Sequence, residues 1–158
     1  MANDPHPHVA IREAVRDDLS ALIAMLASDT VGGHGDTTEA EHRTAYERAF
    51  DAIAASPNET LYVADYGGRV VGVAKATVLT TLTNRGASAV LVETVHVRTD
   101  MRGNGIGQAL VDFCVSRARE LGACSVKLMT NRDRVDAHRF YERLGFERSH
   151  HGYRMKLG

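Results

Sequence analysis

At 158 residues, 44% hydrophobic and 25% charged, the chain has the composition of one soluble globular domain large enough to bury an ordinary core. A formal net charge of −1 argues against nucleic acid or an anionic membrane as the main partner, and no apolar run is long enough to cross a bilayer. Cys114 and Cys124 read as free thiols of a cytoplasmic protein, with nothing in their spacing to support a disulfide.

Residues 1–7 read as a disordered leader without the basic start or apolar core of a signal peptide, and 8–158 as a single domain. A first strand is predicted over 8–13. Asp17 stands where it can cap a helix running to residue 28, with Leu19, Leu22, Ile23 and Leu26 inward. The stretch 31–37 is too glycine-rich for either regular structure. A second helix over 38–55 carries Tyr46, Ala49, Phe50 and Ile53 at helical spacing. Two β-rich runs, 60–66 and 69–79, flank the hairpin signal Gly67-Gly68. After a polar loop over 80–87 comes a strand over 88–97.

The next helix, 105–121, is amphipathic, with Ile106, Leu110, Phe113, Cys114, Ala118 and Leu121 on one face and Gly122 at the expected left-handed cap. A strand over 124–130 completes a strand–helix–strand unit and is therefore predicted parallel to 88–97. A short helix over 137–144 follows, with strands over 147–149 and 152–157, the last alternating Tyr153, Met155 and Leu157. No repeat or second domain is seen.

The chemistry concentrates where the 88–97 strand meets its helix, at Arg102-Gly103-Asn104-Gly105-Ile106-Gly107. The first N–H groups of a helix have no internal partner, and glycines let a polyanion approach them and the positive end of the helix dipole. The turn therefore reads as a phosphate cradle. It is not a nucleoside-triphosphate loop, because Gln108-Ala109 stand where Lys and Ser or Thr are needed. The dinucleotide pattern also fails, since it requires glycine at 108 or at 110.

The stretch resembles the Gln/Arg-x-x-Gly-x-Gly/Ala signature of the GCN5-related N-acetyltransferase superfamily, with Arg102, Gly105 and Gly107 at its fixed positions. Ala137-His138-Arg139-Phe140-Tyr141-Glu142-Arg143-Leu144-Gly145-Phe146 resembles that family's second signature, a short helix ending in a Gly-Phe turn. The two occur in the family's order and spacing.

The resemblance implies an α/β (α+β) acyl-coenzyme A N-acyltransferase fold of order β-α-α-β-β-β-α-β-α-β-β. Its central sheet is mixed and mostly antiparallel, with helices on both faces, and the 88–97 strand splays from its parallel neighbour. Acetyl-coenzyme A is the implied cofactor. Arg102, Gly103, Asn104, Gly105, Ile106, Gly107 and Gln108 would hold its pyrophosphate. The backbone of Val95, His96 and Val97 would meet the pantetheine arm in the gap, and Phe140 and Tyr141 would lie against the cofactor. Many relatives carry Asn seven residues before the motif tyrosine. Here Arg134 stands there and Asn131 three residues earlier, so both are candidates for coenzyme contact. Arg139 and Arg143 either approach the nucleotide end or are merely solvated.

Tyr141 occupies the family's proton-donor position, and a phenol of pKa about 10 is protonated at neutral pH. The same helical face also needs an aromatic packing residue. Glu93, in an otherwise apolar strand, is the candidate base: it either takes the proton of an ammonium substrate, directly or through water, or simply binds the ammonium. By strand alternation it shares a face with Val95, while His96 points the other way and reads as structural or exposed. His34, Asp36 and His151 lie in segments where the family builds its acceptor pocket, although each histidine also reads as an ordinary loop residue. No metal site is expected, since neither a helical His-x-x-x-His pair nor a Cys-x-x-Cys knuckle is present.

The implied activity is transfer of acetyl to a primary amine by direct attack in a ternary complex. The expected acceptor is a small molecule, with a protein N-terminus or lysine as the alternative. The rival is a non-catalytic acyl-coenzyme A-binding module, which would need the cradle but neither Glu93 nor Tyr141. A homodimer is implied by the resemblance alone.

Overall fold

The β-rich stretches between residues 59 and 97 become neighbouring strands because each connection is short enough to return the chain antiparallel. The structure is a computed structural model that describes residues 8–29 and 35–157; the predicted leader 1–7 and His34 lie outside the described residues. The chain divides into two compact units, Met1–Leu128 and Met129–Gly158.

The first unit holds a five-stranded sheet in the order β1-β2-β3-β4-β5. Strands β1 (Ala10–Glu13), β2 (Glu59–Tyr66), β3 (Arg69–Thr80) and β4 (Ser88–Val97) pair antiparallel, and β5 (Ser125–Leu128) runs parallel to β4. Two of its helices, α1 (Leu19–Ala27) and α2 (Arg43–Ala55), share one face of the sheet. There Leu19, Leu22, Ile23, Met25 and Phe50 pack with Val63, Val70 and Val73. A short turn, α3 (Thr83–Gly86), interrupts the predicted 80–87 loop, with Asn84 and Arg85 in the left-handed region. The opposite face is covered by α4 (Ile106–Glu120), whose Ile106, Leu110, Cys114 and Ala118 meet Tyr62, Ala64, Val71, Ala74, Val90 and Val92.

Gly72 permits that close approach. A Cβ there would lie 3.0 Å from Leu110 Cδ1 and 3.2 Å from both Ile106 Cγ2 and the His96 carbonyl oxygen. Both cysteines are free; burial pushes the Cys114 thiol up to about 11, while Cys124 is exposed.

The start of α1 departs from expectation. A 3-10 turn, Arg16–Asp18, precedes the helix and turns Asp18 inward while Asp17 stays exposed. The Asp18 carboxylate accepts hydrogen bonds from the Val15 N–H at 2.8 Å and from Arg12 Nη1 and Nη2 at 2.7 and 3.0 Å. Met25 takes the fully buried position expected of Leu26. A second 3-10 turn, Ala40–His42, delays α2 until Arg43.

In the second unit, α5 (Val135–Arg143) ends in a Schellman turn. Gly145, at φ 91°, donates its N–H to Glu142 O at 3.0 Å, and Phe146 donates to Tyr141 O at 3.1 Å. The strands predicted over 147–149 and 152–157 do not form. Alternation supplies a face, but a strand also needs a neighbour for its N–H and C=O groups. Residues 147–149 make a local turn instead, Ser149 N–H to Glu147 O at 2.9 Å, and Tyr153, Met155 and Leu157 are left exposed.

Candidate active site

The glycine turn is shaped by its own backbone. Gly103 and Gly105 sit at φ 79° and 74°, conformations that L side chains rarely adopt. The Asn104 amide donates to the Met101 and Arg102 carbonyls at 3.1 and 3.3 Å, which pins the turn from within. Arg102 Nε reaches back to Val97 O at 3.2 Å and ties the turn to the end of β4. Gly105 is the N-cap of α4, and its carbonyl accepts the first helical bond, from Ala109 N–H at 2.9 Å. The amides of Ile106, Gly107 and Gln108 therefore have no intrahelical partner. No side chain caps this helix, and its first turn carries no acidic residue.

The strand leading into the turn is open on one flank. β4 pairs with β5 only from Ala89↔Ser125 to Val92↔Leu128, yet its pairing with β3 continues to Val97↔Gly72. Among the described residues the β4–β5 ladder thus stops short of the 93–97 stretch. An extended amide-bearing chain can hydrogen-bond there as a strand would.

The same stretch contains a bulge. Val73 pairs with His96 and Lys75 with Glu93, so two steps along β3 match three along β4. Thr94 absorbs the extra residue at φ 54°, an unusual conformation for a β-branched side chain. Directly paired residues face the same way, so Glu93 and His96 share the α1/α2 face with Lys75 and Val73. The expectation that His96 opposes Glu93 is overturned. Val95, expected beside Glu93, instead packs with Val97 against the α4 core. One inserted residue reverses strand alternation, and both differences follow from it.

Two charged groupings result on the α1/α2 face. Lys75 Nζ lies 2.6 Å from Glu59 Oε1 and 3.6 Å from Glu93 Oε2. Burial opposes the Lys75 ammonium, but the hydrogen bond to Glu59 and the two carboxylate charges outweigh it and raise its pKa; the hydrogen bond from Lys75 in turn lowers that of Glu59. The second is a histidine–carboxylate contact, with His96 Nδ1 3.4 Å from Asp29 Oδ2 and the two side chains only 15% and 7% exposed. Neither Lys75 nor Asp29 stands out as a site residue from spacing alone. A lone lysine inside the apolar 69–79 run was the available signal for the first; the second had none.

In the second unit, Tyr141 makes edge contacts with Phe140 and Phe146, ring centroids 5.0 and 5.9 Å apart. Burial raises its phenol pKa, with the nearby Arg134 charge working in the opposite direction. Asn131 organises the start of α5. Its side-chain oxygen accepts from Asp133 N–H at 3.0 Å, and its carbonyl accepts from Arg134 N–H at 3.0 Å and contacts His138 Nε2 at 3.0 Å. Arg139, Arg143 and His151 are exposed. Elsewhere, Glu39, Glu41 and His42 bring ligand-type atoms within 4.8 Å of one another before α2, an exposed grouping of a kind common on surfaces without a metal.

Set against known proteins, the profile of the Acetyltransferase (GNAT) family matches residues 20–146. The chain belongs to this family and is of the N-acetyltransferase class. It is 30% identical, over 98% of its length and 95% of the other's, to an aminoalkylphosphonate N-acetyltransferase of Salmonella typhimurium strain LT2. A crystal structure from Bacillus halodurans C-125, described as a transcriptional regulator, shares 39% identity and a TM-score of 0.91 over 95% of this chain and 100% of that one. An acetyltransferase of Clostridium acetobutylicum solved with acetyl-coenzyme A shares the fold, at 18% identity and a TM-score of 0.71 over 95% and 97% of the two chains. No described helix is long and apolar enough to cross a membrane.

Proposed function

We propose that the protein transfers the acetyl group of acetyl-coenzyme A to the primary amine of a small molecule, by direct attack in a ternary complex. The observation that carries this reading is the uncapped glycine turn continuous with the part of β4 beyond the end of its β5 ladder. The turn offers free amides to a pyrophosphate, and the flank offers a ladder to a pantetheine arm. In this reading Arg102–Gln108 hold the pyrophosphate, and the backbone of 95–97 holds the arm and polarises the thioester carbonyl.

Glu93 engages the ammonium of the acceptor. With Glu59 it sets two carboxylates against the single Lys75 ammonium, leaving that grouping one negative charge to attract a cation. Tyr141 supplies the proton taken up by the departing thiolate; its raised pKa keeps the phenol protonated at neutral pH. Asn131, Arg134 and Phe140 are proposed coenzyme contacts, and His34 and His151 acceptor contacts. The relative that acts on aminoalkylphosphonates supports a small acceptor. A cytoplasmic location and a homodimer are proposed from the family resemblance alone.

The name carried by the Bacillus halodurans structure favours a second reading, a coenzyme-binding module that regulates without turnover. One assay separates the two: thiol release from acetyl-coenzyme A with a panel of aminoalkylphosphonates, other small amines and lysine peptides. The enzyme reading expects release with a small amine. Coenzyme binding with no release from any acceptor selects the binding module.

A further inference from the structure

We infer that His96, oriented by Asp29, is the group on which the acceptor's proton comes to rest. The inference deepens the acetyltransferase reading and depends on it.

The sequence alone hides this residue, because plain alternation sends it to the far side of the sheet from Glu93. The bulge at Thr94 brings it back. Val73↔His96 and Lys75↔Glu93 are successive paired positions on one face, so the imidazole and the Glu93 carboxylate lie on that face on either side of the extra residue. Bulges recur beside active sites, where the extra residue re-aims the side chains that follow it. The left-handed conformation that achieves it is a strained one for a β-branched residue such as Thr94.

His96 also has the pairing that a proton acceptor needs. With Asp29 Oδ2 3.4 Å from Nδ1, the carboxylate sets the ring's orientation, favours the tautomer with the proton on Nδ1, and stabilises the imidazolium once formed. The pair is mostly buried and stands at the stretch of β4 that lies beyond the end of its β5 ladder.

Basicity favours His96 over Glu93 for this step. An ordinary carboxylate has a pKa of about 4.3 and an ordinary imidazole about 6.5, so the imidazole retains a proton near neutrality far better. Glu93 also already faces the Lys75 ammonium. Among the described residues, the charged groups on this face of the sheet include Asp29 just beyond α1, Glu59 on β2, Lys75 on β3 and Glu93 on β4, with Arg12 of β1 in the same cross-strand row as His96 and paired with Asp18.

The step balances without a further reactant. The substrate ammonium gives one proton to His96, leaving a neutral amine whose lone pair forms the C–N bond. The C–S bond breaks with its electron pair on sulfur, and the thiolate takes up a proton as the new amide nitrogen loses its second. His96 then returns its proton to solvent.

The test uses the full chain with acetyl-coenzyme A and the best amine from the thiol-release panel. For the wild type, kcat/KM should rise with pH and level off above neutrality. His96→Gln should bind acetyl-coenzyme A normally, lose about 100-fold in kcat/KM at neutral pH and keep rising towards the amine's own pKa. Added imidazole should restore part of the rate of His96→Ala. Asp29→Asn should lose about tenfold or more with unchanged coenzyme affinity, and it tests the pair should the His96 variants not fold. A His96→Gln enzyme with the wild-type rate and pH profile overturns the inference, as does a wild-type profile that is flat through the neutral range. A wild type that releases no thiol with any amine overturns the acetyltransferase reading and this inference together; an active wild type indifferent to both substitutions overturns only the role of His96.

Discussion

Two helix starts in the first unit answer the same electrostatic problem in opposite ways. At the 3-10 turn that leads into α1 the chain supplies its own anion: Asp18 is buried there, held by Arg12 and by the Val15 N–H. At α4 nothing among the described residues plays that part. Gly105 caps without a side chain, the first turn has no acidic residue, and left-handed Gly103 and Gly105 keep the approach clear. A helix start that is closed by its own carboxylate contributes to stability, whereas one left open is available to an anion from outside. The end of α5 resembles the closed case, since Gly145 and Phe146 return their amides to the carbonyls of Glu142 and Tyr141. Glycine therefore leaves helix-start amides open in one turn and completes a cap in the other; what differs is whether those amides find partners among the described residues.

The comparison breaks most directly at the open start. Gly107 needs no left-handed backbone, so Gly107→Val can fold while placing a branched side chain among the amides. Its affinity for acetyl-coenzyme A, measured by calorimetry, should fall by about 100-fold or more, a loss of roughly 2.7 kcal/mol. Unchanged affinity would remove the cradle. Tyr141 sharpens the contrast at the end of α5, because its carbonyl closes the turn while its phenol is proposed to act in catalysis. Tyr141→Phe keeps the carbonyl and both ring contacts, so turnover should drop by about 100-fold with Tm and coenzyme affinity little changed. A fully active variant would leave Tyr141 with packing alone.

At the closed start, Asp18→Asn should cost about 2 kcal/mol in denaturant unfolding, since charge-assisted bonds from Arg12 weaken at a buried position. The hydrogen bond from Arg12 lowers the Asp18 carboxyl below the usual range. Its stabilisation is therefore fully present above about pH 4, the unfolded value, and is lost as pH falls through the folded one. Wild-type stability should decline more steeply than that of Asp18→Asn across this acid range; parallel curves would show that the pair contributes little. The smallest effect is expected from Gly145→Ala, about 1 kcal/mol of stability lost from an L residue at φ 91°, with coenzyme affinity intact. A loss of affinity there would mean that the closed turn is also a binding site.

Much of the first unit was legible because local signals and tertiary packing agree. The bounds of β4 were read correctly from the sequence, and the 3.6-residue spacing of Ile106, Leu110, Cys114 and Ala118 identified the buried face of α4. The glycine turn was legible because its chemistry is that of backbone amides, which spacing reveals. The bulge was not. Thr94 is a strong β-former inside an apolar run, so nothing local announces a left-handed residue, yet this single insertion decides where Glu93, Val95 and His96 point. The contact of His96 with Asp29 was hidden for a related reason, since it joins residues far apart in sequence. The strand pattern at 152–157 misled because alternation describes a face and is silent on whether a partner edge exists.

The central claim is that the start of α4 and the open flank of β4 together bind acetyl-coenzyme A. Thermal unfolding of the wild type and of Gly107→Val, each with and without acetyl-coenzyme A, tests it most directly, with ATP and NAD as controls. At a hundred times its dissociation constant the coenzyme should stabilise the wild type by about 2.7 kcal/mol, leave the variant unmoved, and have no counterpart in either control. No shift of the wild type at millimolar coenzyme, or an equal shift in the variant, would contradict the account.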